Sequence, residues 1–236
     1  MDTSNEAAPS VRLILLRHGQ VASHRGDVPL TDAGTAQADA AGQWLADAGV
    51  PLAAMFHGGT TRTRDTAERF RRAFAARSDT PGVPALDYGV ALRNPDLYFG
   101  GYRVNMVSSP EAFAEQVPPM RVEEVRRVPW FADFLDSGDR VGFWAAHANP
   151  PGETARCVGR RIEAFARSLG HVSDWLGAAV VGVTHSPILR SVAQTFLGAD
   201  PGEPPFLHGY SLTVTASGAL QVDKVSPAIQ TAVMSG

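Results

Sequence analysis

The chain has one lysine, Lys224, one cysteine, Cys157, and no long hydrophobic run. A single cysteine permits no intrachain disulfide and no cysteine-built metal cage. No apolar stretch approaches the ~20 residues of a membrane span. Basic residues do not exceed acidic ones, 21 against 24 for a net charge of −3. That balance lacks the electrostatic footprint of a protein that grips nucleic acid or anionic membrane without sequence preference. The opening segment, MDTSNEAAPS, is polar and acidic and lacks the basic and apolar regions of a signal peptide, so a cytoplasmic location is expected. Arginine makes up all the basic residues but one, which reads as genome composition. It is also the better clamp for oxyanions.

What is present is an ordinary globular balance: 236 residues, 44% hydrophobic and 19% charged. That is enough chain to bury a sizeable core in one or two domains. Residues 1–10 read as a flexible tail. The apolar run 11–16, VRLILL, predicts a buried parallel strand. Thr31 opens a helix whose apolar face runs from Ala33 to Ala48, and Gly49 stops it. A second strand is expected over 52–56 and a helix over 60–76. Residues 78–130 are rich in proline and glycine and read as an irregular insertion, with a helix candidate at 111–116. A strand is expected at 140–145, a helix at 153–169, a second clear buried strand at 178–184 and a helix at 187–197. A terminal hairpin is expected from 211–216 and 220–225. The alternation predicts an α/β fold: a three-layer α/β/α sandwich whose mostly parallel central sheet is flanked by helices. In such sheets, sites form where strands run out into loops and helices begin.

Chemistry-bearing residues cluster at those ends. The first strong strand is followed by Arg17-His18-Gly19, the second by His185-Ser186-Pro187. The 52–56 strand leads to Thr60-Thr61-Arg62-Thr63-Arg64. A lone histidine is ordinarily structural, and Arg62 and Arg64 taken alone fit a solvated helix face. Two histidines at the ends of the two best buried strands, beside an arginine that needs an anion, point to an anion pocket containing imidazole.

These residues resemble a known family. Arg17-His18-Gly19 after an apolar strand resembles the signature of the histidine phosphatase superfamily, also called the phosphoglycerate mutase-like family. Leu30-Thr31-Asp32-Ala33-Gly34 with Gln37-Ala38, Arg62 with Thr66-Ala67, Gly152-Glu153-Thr154 with Arg160, and Val183-Thr184-His185 are similar to the family's further motifs, in order, from about 11 to 225. The resemblance implies one domain over 11–236 and a metal-independent phosphatase that needs no cofactor and acts on a small phosphorylated metabolite. It implies His18 as nucleophile, forming a phosphohistidine. Arg17, Arg62 and His185 would surround the transferring group. Gln20, His24 and Ser186 are expected at the substrate entrance, with His57 and Glu153 as further candidates near the pocket. Neither nucleic acid nor membrane is expected as a partner, and association as a homodimer is left open.

The chain departs from the family where the general acid is expected. Over Leu92-Arg93-Asn94-Pro95-Asp96-Leu97-Tyr98-Phe99-Gly100, alignment on the leucine puts Asn94 at the acid position and alignment on the glycine puts Asp96 there. Asparagine cannot donate the proton, so Asp96 is the expected acid, with Glu123 and Glu124 behind it. Two alternatives stand beside the phosphatase: a phosphoglycerate-type mutase, using arginines of 78–130 as a basic rim, and a non-catalytic phosphate-binding or scaffold protein. The aromatic residues of 78–130 are expected to serve mainly as that segment's own packing.

Overall fold

A computed structural model describes residues 9–24, 26–78 and 82–227. Its central sheet has six strands in the order β3-β2-β6-β1-β7-β8. These are β1 (Ser10–Arg17), β2 (Leu52–His57), β3 (Leu86–Tyr88), β6 (Ala179–Thr184), β7 (Gly209–Thr215) and β8 (Leu220–Val225). The first four run parallel; β7 and β8 complete the sheet antiparallel. A two-stranded hairpin, β4 (Leu97–Phe99) and β5 (Tyr102–Val104), stands apart. The helices are α1 (Asp32–Asp47), α2 (Thr61–Arg77), α3 (Pro110–Ala114), α4 (Val122–Val125), α5 (Pro129–Asp136), α6 (Arg140–Ala146), α7 (Ala155–Leu169) and α8 (Ser186–Leu197).

The three layers follow from the two-residue period of the strands. Ile14 and Leu16 of β1 point to one face and pack with Ala41 and Leu45 of α1 and Phe70 and Phe74 of α2. Leu13 and Leu15 point to the other and pack with Val158 and Ile162 of α7 and Ile188 and Leu189 of α8. Burying each such side chain contributes about 1.5–3 kcal/mol. Local signals set the helix ends. Thr31 accepts from the Gly34 amide and Thr60 forms a capping box with Thr63. Gly198, at φ 77°, closes α8 in the left-handed conformation that glycine adopts without strain.

Three expectations are corrected. Residues 140–145 form helix α6 rather than a strand. Asp139 accepts from the Gly142 amide at 2.9 Å and binds Arg190 with both oxygens, so a cap and an ion pair outweigh the short branched run. The segment 78–130 is more ordered than its composition suggests. It carries β3, the β4–β5 hairpin, α3 and α4, and buries Phe99, Phe113, Val117 and Val125 in the same cluster as Leu13 and Leu15. Its tyrosines Tyr88, Tyr98 and Tyr102 stay exposed instead. The tail expected over 1–10 falls mostly outside the described residues, and Ser10 already belongs to β1.

Topology brings the two histidines together. Strand β6, far along the chain, inserts between β1 and β2 and pairs with both in parallel. Arg17 lies opposite Thr184, so His18 and His185 emerge side by side one residue beyond the paired ends. On the other side of β6, His57 pairs with Val183, and the chain then turns through Gly58 and Gly59 into α2, carrying Arg62.

Candidate active site

His18 is 2% exposed, and its Nδ1 lies 2.8 Å from the Gly19 carbonyl oxygen. A carbonyl can only accept, so Nδ1 carries the hydrogen and Nε2 keeps its lone pair. Burial, and then the charge of Arg62, push the His18 pKa down to about 3, so the ring is neutral at physiological pH. The Gly19 amide donates to Thr66 Oγ1 at 2.9 Å, and that hydroxyl donates to the Arg62 carbonyl at 2.7 Å, so α2 braces the segment that carries the histidine.

The His185 ring centre lies 5.7 Å from that of His18, at an interplanar angle of 64°. His185 is held neutral by burial and by the neighbouring Arg62 and His18. Its Nδ1 and Nε2 are both buried without a well-aligned hydrogen-bond partner among the described residues, as are Nε of Arg17 and Nε of Arg62. Buried polar groups left unsatisfied are uncommon and costly in a finished structure. Others occur at Arg69, Trp130, Arg140 and Arg161, but these belong to two guanidiniums and an imidazole around one neutral histidine, groups suited to bind an oxyanion.

Anchors hold these groups in place. Arg17 Nη2 lies 2.5 Å from Glu203 Oε1, Nη1 donates to the Pro204 carbonyl at 2.5 Å, and the Phe206 ring lies 4.2 Å from the guanidinium carbon. Ser186 Oγ donates to Glu203 Oε2 at 2.5 Å. Asp27 accepts from the amide and hydroxyl of Thr61 at the start of α2 and stands 3.8 Å from Arg62. Sequence reasoning missed Glu203, Phe206 and Asp27. They sit in loops with no periodicity, and Pro-Gly-Glu-Pro-Pro over 201–205 was the available hint.

Arg17, His18, His24, Arg62, His185 and Ser186 line one cavity of 570 Å³. The His24 ring centre lies 5.7 Å from that of His18. Gln20 is not brought to the lining. Its amide donates to Gln37 Oε1 at 3.0 Å and its carbonyl accepts from Thr31, so it ties the loop to α1.

Asp96 is not brought there either, and the geometry does not support it as the acid. Its carboxylate is gripped by Arg93 and Arg103. Burial pushes its pKa up, but the two guanidiniums outweigh that and bring it down to about 2. Its amide donates to Glu153 Oε2 at 2.8 Å, so Glu153 also serves this structural corner. Asn94 is the residue of that stretch that lines the cavity. Glu124 faces a separate hollow beside Arg127, and Glu123 lines neither. His57 Nδ1 accepts from the Gly59 amide, shaping its own turn outside the cavity lining. Among the described residues no group of three His, Cys, Asp or Glu is arranged to hold a metal ion, and no helix is long and apolar enough to cross a membrane.

Residues 13–82 match the model of the histidine phosphatase superfamily (branch 1), the segment that carries Arg17, His18 and Arg62. No curated protein matches the sequence. Solved structures share the fold across nearly the whole chain at low identity. A protein described as mycobacterial hydrolase 1 aligns at TM-score 0.61 and 19% identity, over 93% of this chain and 99% of its own. A mycobacterial glucosyl-3-phosphoglycerate phosphatase aligns at 0.58 and 16%, over 91% and 97%. Phosphoglycerate mutase from Bacillus anthracis aligns at 0.58 and 16%, over 92% and 93%. The sequence likeness to the histidine phosphatase superfamily thus lies in residues 13–82, and the likeness to these solved structures is one of fold.

Proposed function

We propose that the protein is a phosphatase that hydrolyses a small phosphomonoester through a phosphohistidine on His18. The observation that carries this reading is the neutral His18, with its Nε2 lone pair free, set beside the buried His185 ring and the unpartnered Nε atoms of Arg17 and Arg62. Nε2 attacks phosphorus, and the ester P–O bond breaks with its electron pair on the alcohol oxygen, which takes a proton from water at the cavity mouth. Water then attacks the phosphohistidine and the P–N bond breaks, releasing phosphate and restoring His18. Splitting the displacement in two lowers each barrier. The charge that develops on the equatorial oxygens is met by donors already in place, and removing one such donor typically costs ~10²–10³ in rate.

The arrangement favours a phosphatase over the mutase alternative. Of the arginines expected to form a basic rim, Arg93 and Arg103 are tied to Asp96, Arg121 to Glu124 and Arg126 to Asp136. None of these lines the cavity, and neither does Arg127. A mutase has to retain a doubly phosphorylated intermediate, and these ion pairs leave little free charge to hold it. The neutral, correctly tautomerised His18 also argues against a purely scaffolding role, since binding alone does not need a nucleophilic lone pair.

The test is a rapid alkaline quench after mixing with radiolabelled aryl phosphate. Wild type should trap an acid-labile phosphoenzyme, and His18→Ala should trap none and lose turnover by at least ~10³, while keeping its circular dichroism. Equal trapping in both proteins, or none in wild type during turnover, overturns the covalent route.

A further inference from the structure

The cavity extends well beyond its phosphate end, and the far end is of a different chemistry. Its wall is formed by Met106, Val107, Ala112, Phe134 and Val141. The polar groups in that wall are engaged with one another. Gln116 accepts from the Asn105 amide at 2.7 Å and donates to the carbonyls of Asn105 and Ala112. Ser108 reaches the His24 carbonyl across the entrance. The charges there are Glu115, Asp139 and Arg140. Asp139 is bound by Arg190 through both oxygens, but Arg190 is shared with Asp200, and Arg140 donates to the Leu135 carbonyl. Among the described residues the far end therefore presents an apolar wall edged by two carboxylates and one arginine.

We infer that the alcohol part of the substrate is an uncharged apolar group, aryl or branched alkyl, seated against Met106, Val107 and Val141, and that anionic sugar-acid phosphates are poor substrates. This rests on the phosphatase reading above, because the phosphate end fixes which end of the ligand enters first. Three considerations carry it. The volume, 570 Å³, is that of a pocket for a medium-sized ligand rather than for a bare phosphate. An apolar wall rewards an apolar group by roughly 0.8 kcal/mol per buried CH₂ and gives nothing to a hydroxyl or carboxylate. A carboxylate placed there loses its water and meets the carboxylates of Glu115 and Asp139 as well as the guanidinium of Arg140, a cost apolar groups do not bear. The unbranched Met106 lets the wall adapt to more than one shape.

The experiment holds the leaving oxygen constant and varies only the tail. Phenyl phosphate, 4-propylphenyl phosphate and 4-(2-carboxyethyl)phenyl phosphate release phenols of similar acidity. The propyl compound should exceed phenyl phosphate in kcat/KM by at least tenfold, and the carboxyethyl compound should fall below it. Val107→Asp should erase the propyl advantage, while the inhibition constant for inorganic phosphate, which reports on the other end, moves less than twofold. Met106→Gln gives a second, milder variant should Val107→Asp unfold. Turnover with no propyl advantage, or with the carboxyethyl compound preferred, overturns the apolar subsite and leaves the phosphatase reading standing. Absence of turnover and of phosphoenzyme with all three overturns the phosphatase reading itself.

Discussion

At the residue scale the site is built by keeping imidazoles uncharged next to guanidiniums. In the unfolded chain His18 titrates near 6.5, and in the folded protein burial and Arg62 lower that to about 3. Between those values the unfolded state binds a proton that the native state refuses. Stability contributed by the neutral ring is therefore complete above about pH 6.5 and is lost as pH falls, at up to about 1.4 kcal/mol per pH unit for each such histidine. His185 acts in the same direction. His24 and His57 are lowered too, and His18→Asn removes one of these titrations. Urea midpoints measured from pH 7 to pH 4 should fall less steeply for the variant than for wild type, by close to one proton's worth of slope. Parallel curves would mean that the native imidazole titrates normally. Glu203 and Asp27 complete the balance at this scale, since each sets a carboxylate beside one of the two arginines, so that neither guanidinium is left buried and unpaired when the cavity is empty.

At the element scale the nucleophile's position depends on how closely α1 approaches the loop after β1. A Cβ on Gly34 would stand 2.2 Å from the Gln20 carbonyl oxygen, and one on Gly19 would stand 2.6 Å from the Gly34 carbonyl. The two glycines face each other backbone to backbone, with no flexible side chain to give way. Gly34→Ala therefore has to push α1 away from the segment that carries His18. The expected cost is about 1–3 kcal/mol of stability. Because small misplacements of reacting groups are expensive, kcat should fall by at least ~10-fold as well. Thermal unfolding and initial rates on one aryl phosphate check both effects. A lower melting temperature with unchanged kcat would show that the contact carries stability alone. Thr66 couples a second element to the same spot, bonding both the Gly19 amide and the Arg62 carbonyl.

On the scale of the whole molecule, the 78–130 segment is part of the core rather than an appendage. Phe113 packs edge-on against Phe131 and Phe134, in a cluster that continues to Leu13 and Leu15 of β1. Phe113→Ala should cost about 3–5 kcal/mol, the usual penalty for a cavity of that size in a core. The whole chain should also unfold in one step. Tryptophan emission, to which Trp130 and Trp144 of that cluster contribute together with Trp44 and Trp175, and far-ultraviolet circular dichroism should share one midpoint in wild type and share a lower one in the variant. Two separated transitions would make the segment an independent unit. The same packing makes the cavity wall dependable, since Met106 and Val107 are carried between β5 and α3 on this anchored segment.

Much of this was legible in the residues alone, where local physics decides. The buried strands ending at Arg17 and Thr184 follow from continuous branched runs. Helices α1 and α2 follow from their apolar spacing and their threonine caps. His18, Arg62 and His185 stand where such strands and helices end. Other features required the fold. Only the insertion of β6 between β1 and β2 makes His18 and His185 neighbours, because strand order is set by long-range packing that no local period records. Only side-chain contacts separate Asn94, which lines the cavity, from Asp96, two residues on, which is held by Arg93 and Arg103. Helix α6 displaced the expected strand because Arg190, from a distant helix, engages Asp139 at its first turn. Glu203 and the apolar wall lie in segments whose positions depend on what they pack against. Sequence by itself therefore determined the elements and the reactive groups, whose causes are local. Tertiary structure decided which of those groups meet, what charge each carries and what the cavity accepts, because burial and pairing depend on residues far apart in the chain.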